Sequence, residues 1–337
     1  MDNKSVRARR VVVIGTGGTI AGRSTSALDN IGYSAAEVGV AELVQNLAPD
    51  GVTLLTDQVA QLDSKDMDFG VWQALALRCA GWLALPDVDG IVITHGTDTL
   101  EETAYFLHSV LAPDKPVVLT CAMRPATALA PDGPQNMRDA VCIASGKADS
   151  AARGVSVVCA RRVHSAVDVQ KVHTYRLDAF DSGDAGAIGH VEEGMLRRVR
   201  EWPAGADRAI AAQLLDCVRA LEADRWPRIE IVTSHAGASG RMIDALCRNT
   251  AAGDAIDGLV IAATGNGTMH HAIEAAALRA QESGVAVVRA TRCAQGRILP
   301  TAQATLRDAG GLSPVKARIS LMLEVMGKSA RSTRSTR

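Results

Sequence analysis

Two short stretches of the chain concentrate groups able to do covalent chemistry. The first, GTGGTIAG from Gly15 to Gly22, sets Thr16 and Thr19 among glycines directly after the strand-like run RVVVIG. The second, THGTDT from Thr94 to Thr99, places hydroxyls, an imidazole and the Asp98 carboxylate at the end of another such run, GIVIT. A threonine hydroxyl is a weak nucleophile at neutral pH and needs a nearby base or a polarising network. Lysine serves as that base once desolvation or a neighbouring cation lowers its pKa. Lys171, in AVDVQKVHT beyond the run ending near Ala160, is the candidate, against its reading as a solvated surface charge.

Other chemistries find less support. The glycine-rich turn fails the dinucleotide fingerprint at its third glycine, where Ile20 stands, and no Walker lysine follows it. A Gly-x-Ser-x-Gly nucleophile elbow is absent. His270 and His271 are adjacent, so on a helix they diverge by about 100° and chelate poorly together. With no His-Glu-x-x-His and no Cys-x-x-Cys, no metal is expected. His95 is the one histidine in a candidate loop, and a hydrogen-bonded structural role suits it better than catalysis.

These loops need elements to hold them. Strand-like runs near 10–15, 52–62, 90–94, 116–122 and 154–160 alternate with helical patterns near 39–47, 66–82, 99–111 and 133–149. Continuous apolar strands alternating with helices imply a parallel sheet covered on both faces, with ligands at the carboxyl ends of the strands. From about 196 the texture becomes charged and Ala-rich, bracketed by Pro203 and Pro227, and reads as a connection with some helix. A shorter βα series then follows, ending in a helix signalled by Ser313-Pro314. The expected fold is α/β in two domains, a larger N-terminal parallel-rich sheet flanked by helices and a smaller C-terminal α/β domain. The expected boundaries are 1–200, a linker at 201–227, 228–328 and a disordered tail at 329–337.

Length and composition agree with that picture. The chain has 337 residues, 47% of them hydrophobic, a net charge of −1 and a pI near 6.7, with no basic stripe to attract nucleic acid. Seven scattered cysteines, mostly among apolar neighbours, read as reduced core thiols. No apolar run approaches the roughly 18 residues of a membrane span, and the amino terminus lacks a signal-peptide pattern, so a soluble cytoplasmic protein is expected.

TGGTIAG (16–22) and THGTDTLEETAYFL (94–107) closely resemble the two signature segments of the bacterial L-asparaginase/glutaminase amidohydrolases. Similarity extends over YSAAEVGVAELV (33–44), DSKDM (63–67), KPVVLTCAMRPATALAPDGPQNMRDAV (115–141), DVQK (168–171), GLVIAATGNG (258–267) and VVRATR (287–292). The resemblance implies hydrolysis of the side-chain amide of L-asparagine, or of L-glutamine, through an acyl-enzyme. No cofactor is implied. In its terms Thr19 matches the nucleophile and Tyr33 the tyrosine beside it on a mobile flap. Thr97, Asp98 and Lys171 match a Thr–Lys–Asp relay, with Asp98 also pairing with the substrate's α-ammonium. Ser64 matches the serine that binds the α-carboxylate, Gly18 lies in the substrate loop, and Thr268 would help to close a shared site. A homotetramer built as a dimer of dimers, with sites between subunits, is also implied.

Two departures stand out. Lys65 occupies a position where many relatives have glutamine; it either pairs with the α-carboxylate or points to solvent. In 293–312 the family's glutamate, which reaches the α-ammonium of a neighbouring subunit, is missing: Asp308 is the only acid, and Gln303 falls near the expected place. Asparagine preference is thereby weakened. A related amide as substrate, a silent small-molecule binder and a nucleotide-binding module remain as competing readings.

Overall fold

The computed structural model of the chain describes residues 7–248 and 255–335. The chain divides into two compact units, Met1–Leu215 and Asp216–Arg337.

In the first unit, strands β1 (Arg9–Gly17), β2 (Val52–Leu62), β3 (Gly90–Thr94), β4 (Pro116–Thr120) and β5 (Gly154–Cys159) alternate with helices α1 (Val40–Leu43), α2 (Phe69–Leu83), α3 (Leu100–Leu111) and α4 (Gly133–Ala144). Short strands follow as β6 (Arg162–Ser165), β7 (Gln170–Lys171), β8 (Phe180–Asp181), β9 (Gly189–Glu192) and β10 (Met195–Arg198), with β7 and β8 paired as a separate two-stranded sheet, and helix α5 (Arg208–Ala220) spans the boundary between the units. The main sheet has eight strands in the order β10-β9-β6-β5-β4-β3-β1-β2. From β5 to β2 all neighbours pair in parallel. The chain moves from β1 to β2 on one side, then returns to the other side for β3, so the strand order reverses between β1 and β3. Such a switch point opens a crevice at the carboxyl ends of the two strands.

The central strands are buried on both faces because β-branched residues run through them without alternation. Val11 to Ile14 of β1 and Ile91 to Ile93 of β3 have no exposed surface. Each such side chain stabilises the fold by about 1.5–3 kcal/mol. On one face Val11, Val13, Val92 and Val118 pack with Met137, Ala140 and Val141 of α4. Elsewhere in the same unit Trp72 of α2 stacks on Phe106 of α3 at 4.9 Å, and its indole donates to Thr103 Oγ1 at 2.9 Å. Asp68 caps α2 by accepting from Val71 N at 2.8 Å.

The sheet departs from the sequence expectation at one edge. Strands β6, β9 and β10 pair antiparallel, and none of them was anticipated. Each is four residues long, too short for a period-2 pattern to stand out. The helix expected over 39–47 is only Val40–Leu43, and that over 133–149 stops at Ala144.

The second unit holds a three-stranded parallel sheet of β11 (Ile229–Thr233), β12 (Gly258–Ala263) and β13 (Ala286–Thr291), in that order. Helices α6 (Arg241–Arg248) and α7 (His271–Glu282) connect the strands, and α8 (Pro314–Ser335) follows. Leu259 and Ile261 of β12 pack with Ile243, Ile273 and the Ala276, Ala277 and Ala280 face of α7. Helix α8 runs on through 329–335, where a frayed end was expected, while 336–337 lie outside the described residues. The stretch read as a linker, 201–227, contains α5 and a 3-10 turn at Ala223–Arg225.

Candidate active site

Both signature loops leave the sheet at the switch point. Gly17 and Gly18 hold φ of 103° and 83°, the left-handed region that favours glycine. This lets the β1 loop lie directly against the β3 loop: a Cβ on Gly18 would run into the Gly96 backbone, and one on Gly96 into the Ser64 hydroxyl. Thr19 and Thr97 each follow immediately from that backbone contact.

Thr19 opens a 3-10 turn and is 6% exposed. Its Oγ1 lies 2.5 Å from the Tyr33 hydroxyl, which comes from the segment after Gly22. That segment closes on itself through paired backbone hydrogen bonds between Arg23 and Ser34. It is also tied to the loop before α4: Thr127 Oγ1 accepts from Ser24 N at 2.8 Å and donates to Ser24 O at 3.2 Å. Leu129 N donates to Ala27 O at 2.9 Å.

Thr97 is 7% exposed, and its Oγ1 accepts from Lys171 Nζ at 2.8 Å. The same ammonium donates to Asp98 Oδ1 at 2.6 Å, so hydroxyl, amine and carboxylate form a continuous chain. Lys171, for which no element was expected from the sequence, stands in the two-residue strand β7, paired with Phe180 of β8. Ser64 is 2% exposed; its Oγ accepts from Asp98 N at 3.2 Å, and its carbonyl accepts from Thr99 Oγ1 at 2.8 Å. Thr99 thus spends its hydroxyl on Ser64 and not on capping α3.

Three residues singled out from sequence stand apart. Lys65 is not gathered in: its ammonium pairs with Asp63 at 2.9 Å and Asp66 at 3.1 Å, with a side chain 61% exposed. Those two carboxylates hold its pKa above the usual lysine value. Thr16 is a structural tie, donating to the Thr94 carbonyl at 2.8 Å. Thr268 belongs to the second unit, where its hydroxyl meets Thr264 Oγ1 at 3.0 Å.

His95 has no exposed surface, and burial pushes its pKa down to about 4 despite a 2.7 Å contact of Nδ1 with the Gly96 carbonyl. It is a neutral imidazole donating from Nδ1, a structural role. Among the described residues no group of three or more His, Cys, Asp or Glu side chains is arranged to hold a metal. Two residues were given no role from the sequence. Glu101, in the acidic first turn of α3 within the 94–107 segment, accepts from Lys171 N at 2.5 Å. Thr127 lies within the similar 115–141 segment, where nothing in its own position marked it.

An α/β enzyme with hydroxyl-rich loops meeting at a switch point is the class that this geometry defines. Residues 10–203 match the family described as Asparaginase, N-terminal, and residues 228–334 match the Glutaminase/Asparaginase C-terminal domain. The chain is 38% identical over 324 residues to L-asparaginase 2 of Escherichia coli (strain K12), covering 93% of this chain and 88% of that protein. It is 35% identical over 319 residues to L-asparaginase 2 of Bacillus subtilis (strain 168), covering 92% and 81%. The crystal structure of a probable cytoplasmic L-asparaginase from Campylobacter jejuni superposes with a TM-score of 0.83 at 32% identity, covering 96% of this chain and 98% of that one. The chain belongs to the asparaginase family.

Proposed function

We propose that this enzyme hydrolyses the side-chain amide of L-asparagine to L-aspartate and ammonia, with Thr19 as nucleophile. The observation that carries this reading is the pair of hydroxyl systems on adjoining loops, Thr19 with Tyr33 and Thr97 with Lys171 and Asp98. Thr19 Oγ1 attacks the amide carbon, the C–N bond breaks, and ammonia leaves with a proton from the hydroxyl network. Water activated by Thr97 then attacks the ester, releasing the acid and restoring the Thr19 hydroxyl. Lys171 Nζ, 2.8 Å from Thr97 Oγ1 and 2.6 Å from Asp98 Oδ1, links the threonine to the carboxylate in one hydrogen-bonded chain that orients the Thr97 hydroxyl. Ser64 and Gly18 border the α-carboxylate site, and the open face of Asp98, 52% exposed, receives the α-ammonium. Lys65 has no direct part there, because Asp63 and Asp66 occupy its ammonium.

L-glutamine or another amide is the second reading. It is favoured by the 293–312 segment, where the only acid, Asp308, accepts from Gly310 N at 2.9 Å. A homotetramer of paired dimers, with Thr268 closing a site shared between subunits, and a cytoplasmic location complete the proposal. The first draws on the family resemblance, and the second on the relative from Campylobacter jejuni. Domain limits of 1–200 and 228–328 about a linker belong to it as well.

Ammonia release from L-asparagine, L-glutamine and D-asparagine tests the activity, with Thr19→Ala and Lys171→Met as variants. Activity on L-asparagine that disappears in both variants supports the reading. A purified protein that binds L-aspartate yet releases no ammonia from any of the three would make it a silent binder. Native mass spectrometry reads the assembly.

A further inference from the structure

We propose that Glu101 is a positioning residue for Lys171, acting on its backbone so that the ammonium meets both Thr97 and Asp98. The proposal rests on the amidohydrolase reading above and names what sets the geometry of its relay.

Strand β7 is only two residues long, so its ladder holds Lys171 weakly. Val172 N turns toward the partner strand and donates to the Ala179 carbonyl at 2.8 Å. Residues of an antiparallel ladder alternate between hydrogen-bonded and non-hydrogen-bonded pairs, so Lys171 N–H turns away from β8, on the side where the described residues give this sheet no third strand. The Glu101 carboxylate takes it at 2.5 Å. Three groups of one five-residue segment thereby hold one lysine. Thr97 and Asp98 hold the side-chain nitrogen, at 2.8 and 2.6 Å, and Glu101 holds the main-chain nitrogen.

The arrangement has a mechanical consequence. Glu101 sits in the first turn of α3, rigidly joined to the loop that carries Thr97 and Asp98, and α3 is anchored in the core by Leu100, Thr103 and Ala104, none with exposed surface. Its carboxylate fixes the distance from that loop to the Lys171 backbone. Without it the short strand can shift relative to Thr97, and displacements of about an ångström at reacting groups cost on the order of a hundredfold in rate. Substrate binding would change far less, because Ser64, Gly18 and Asp98 keep their own anchors.

Glu101→Ala, Glu101→Gln and the adjacent control Glu102→Ala test this in the full-length protein. Steady-state ammonia release from L-asparagine is measured together with hydrogen–deuterium exchange over 169–173. In Glu101→Ala, kcat falls by about 30-fold or more while KM moves less than about threefold, and the Lys171 amide loses its protection. The amide oxygen of Glu101→Gln still accepts the N–H, so this variant retains both the rate and the protection. Glu102→Ala behaves as the native protein. Native kcat in Glu101→Ala would overturn the proposal. So would an equal loss in Glu101→Gln, which would assign the effect to charge. Unchanged exchange at Lys171 would overturn it even if the native protein released no ammonia, an outcome that by itself sinks only the asparaginase reading.

Discussion

The Tyr33 hydroxyl lies 2.5 Å from Thr19 Oγ1, although 14 positions separate the two residues in the chain. Tyr33 therefore reaches the proposed nucleophile only while the segment from Arg23 to Ser34 is folded back over the glycine-rich loop. A flap and a nucleophile are coupled by one hydrogen bond.

That coupling predicts the behaviour of Tyr33→Phe. The ring still packs, but nothing polarises or relays the Thr19 proton. Loss of a positioned proton-transfer group typically costs about 10²-fold or more. The expected result is a kcat lower by about that factor with KM nearly unchanged. A parallel rise in KM would instead assign Tyr33 to substrate binding.

Thr127 should govern how long the flap stays closed. Its hydroxyl both accepts from and donates to the Ser24 backbone, at 2.8 and 3.2 Å. Thr127→Val keeps the shape and removes both bonds, a loss of about 1 kcal/mol, or roughly fivefold in the closed population. Hydrogen exchange over 24–33 should quicken and KM should rise by a similar factor. Exchange unchanged from the native protein would mean that Leu129 N to Ala27 O suffices as the tie.

How much of this was legible beforehand differs by element. The parallel core declared itself because GIVIT and RVVVIG are β-branched and uninterrupted, and the switch-point site followed from that topology. Thr19, Thr97 and Asp98 lie in loops whose glycines and hydroxyls are unusual in themselves, whereas Ser64 was identifiable only by resemblance. Lys171 could be named as a candidate base from its chemistry, but only the resemblance set it apart from a solvated surface charge, since its two-residue strand has no periodicity to read. Glu101 and Thr127 act through backbone atoms of residues 70 and 103 positions away, and no local pattern encodes such pairings. Lys65 was ambiguous for a different reason: a flexible ammonium takes whichever carboxylate is nearest, and here Asp63 and Asp66 flank it.

That position supplies the next prediction. An exposed lysine paired with two exposed carboxylates contributes little to stability or chemistry. Lys65→Ala should leave kcat and KM for L-asparagine within about twofold and alter stability by less than about 0.5 kcal/mol. A KM raised tenfold or more, about 1.4 kcal/mol, would show that the ammonium leaves Asp63 and Asp66 for the substrate.

Acid should weaken the fold through two buried histidines. Burial pushes His95 and His164 each down to about 4, with His164 Nδ1 held 2.8 Å from Ser182 Oγ. Around His164, Arg162, Arg200 and His190 oppose its protonation and Asp181 favours it. Unfolded, each imidazole takes a proton near its ordinary value of about 6.5. Between about pH 6.5 and 4 the unfolded chain therefore binds more protons than the folded one, so stability rises with pH across that window. Both histidines are neutral in the fold above it, and the full contribution is then present. It is lost as pH falls, on the order of 3 kcal/mol for each histidine once pH 4 is reached. Urea midpoints measured from pH 7 down to pH 4.5 should fall steadily, and more gently in His164→Gln, which cannot titrate. A native midpoint flat across that range would mean that both imidazoles take up protons as readily in the folded protein as in the unfolded chain, and their buried Nε2 atoms would then need acceptors that neither side chain has among the described residues.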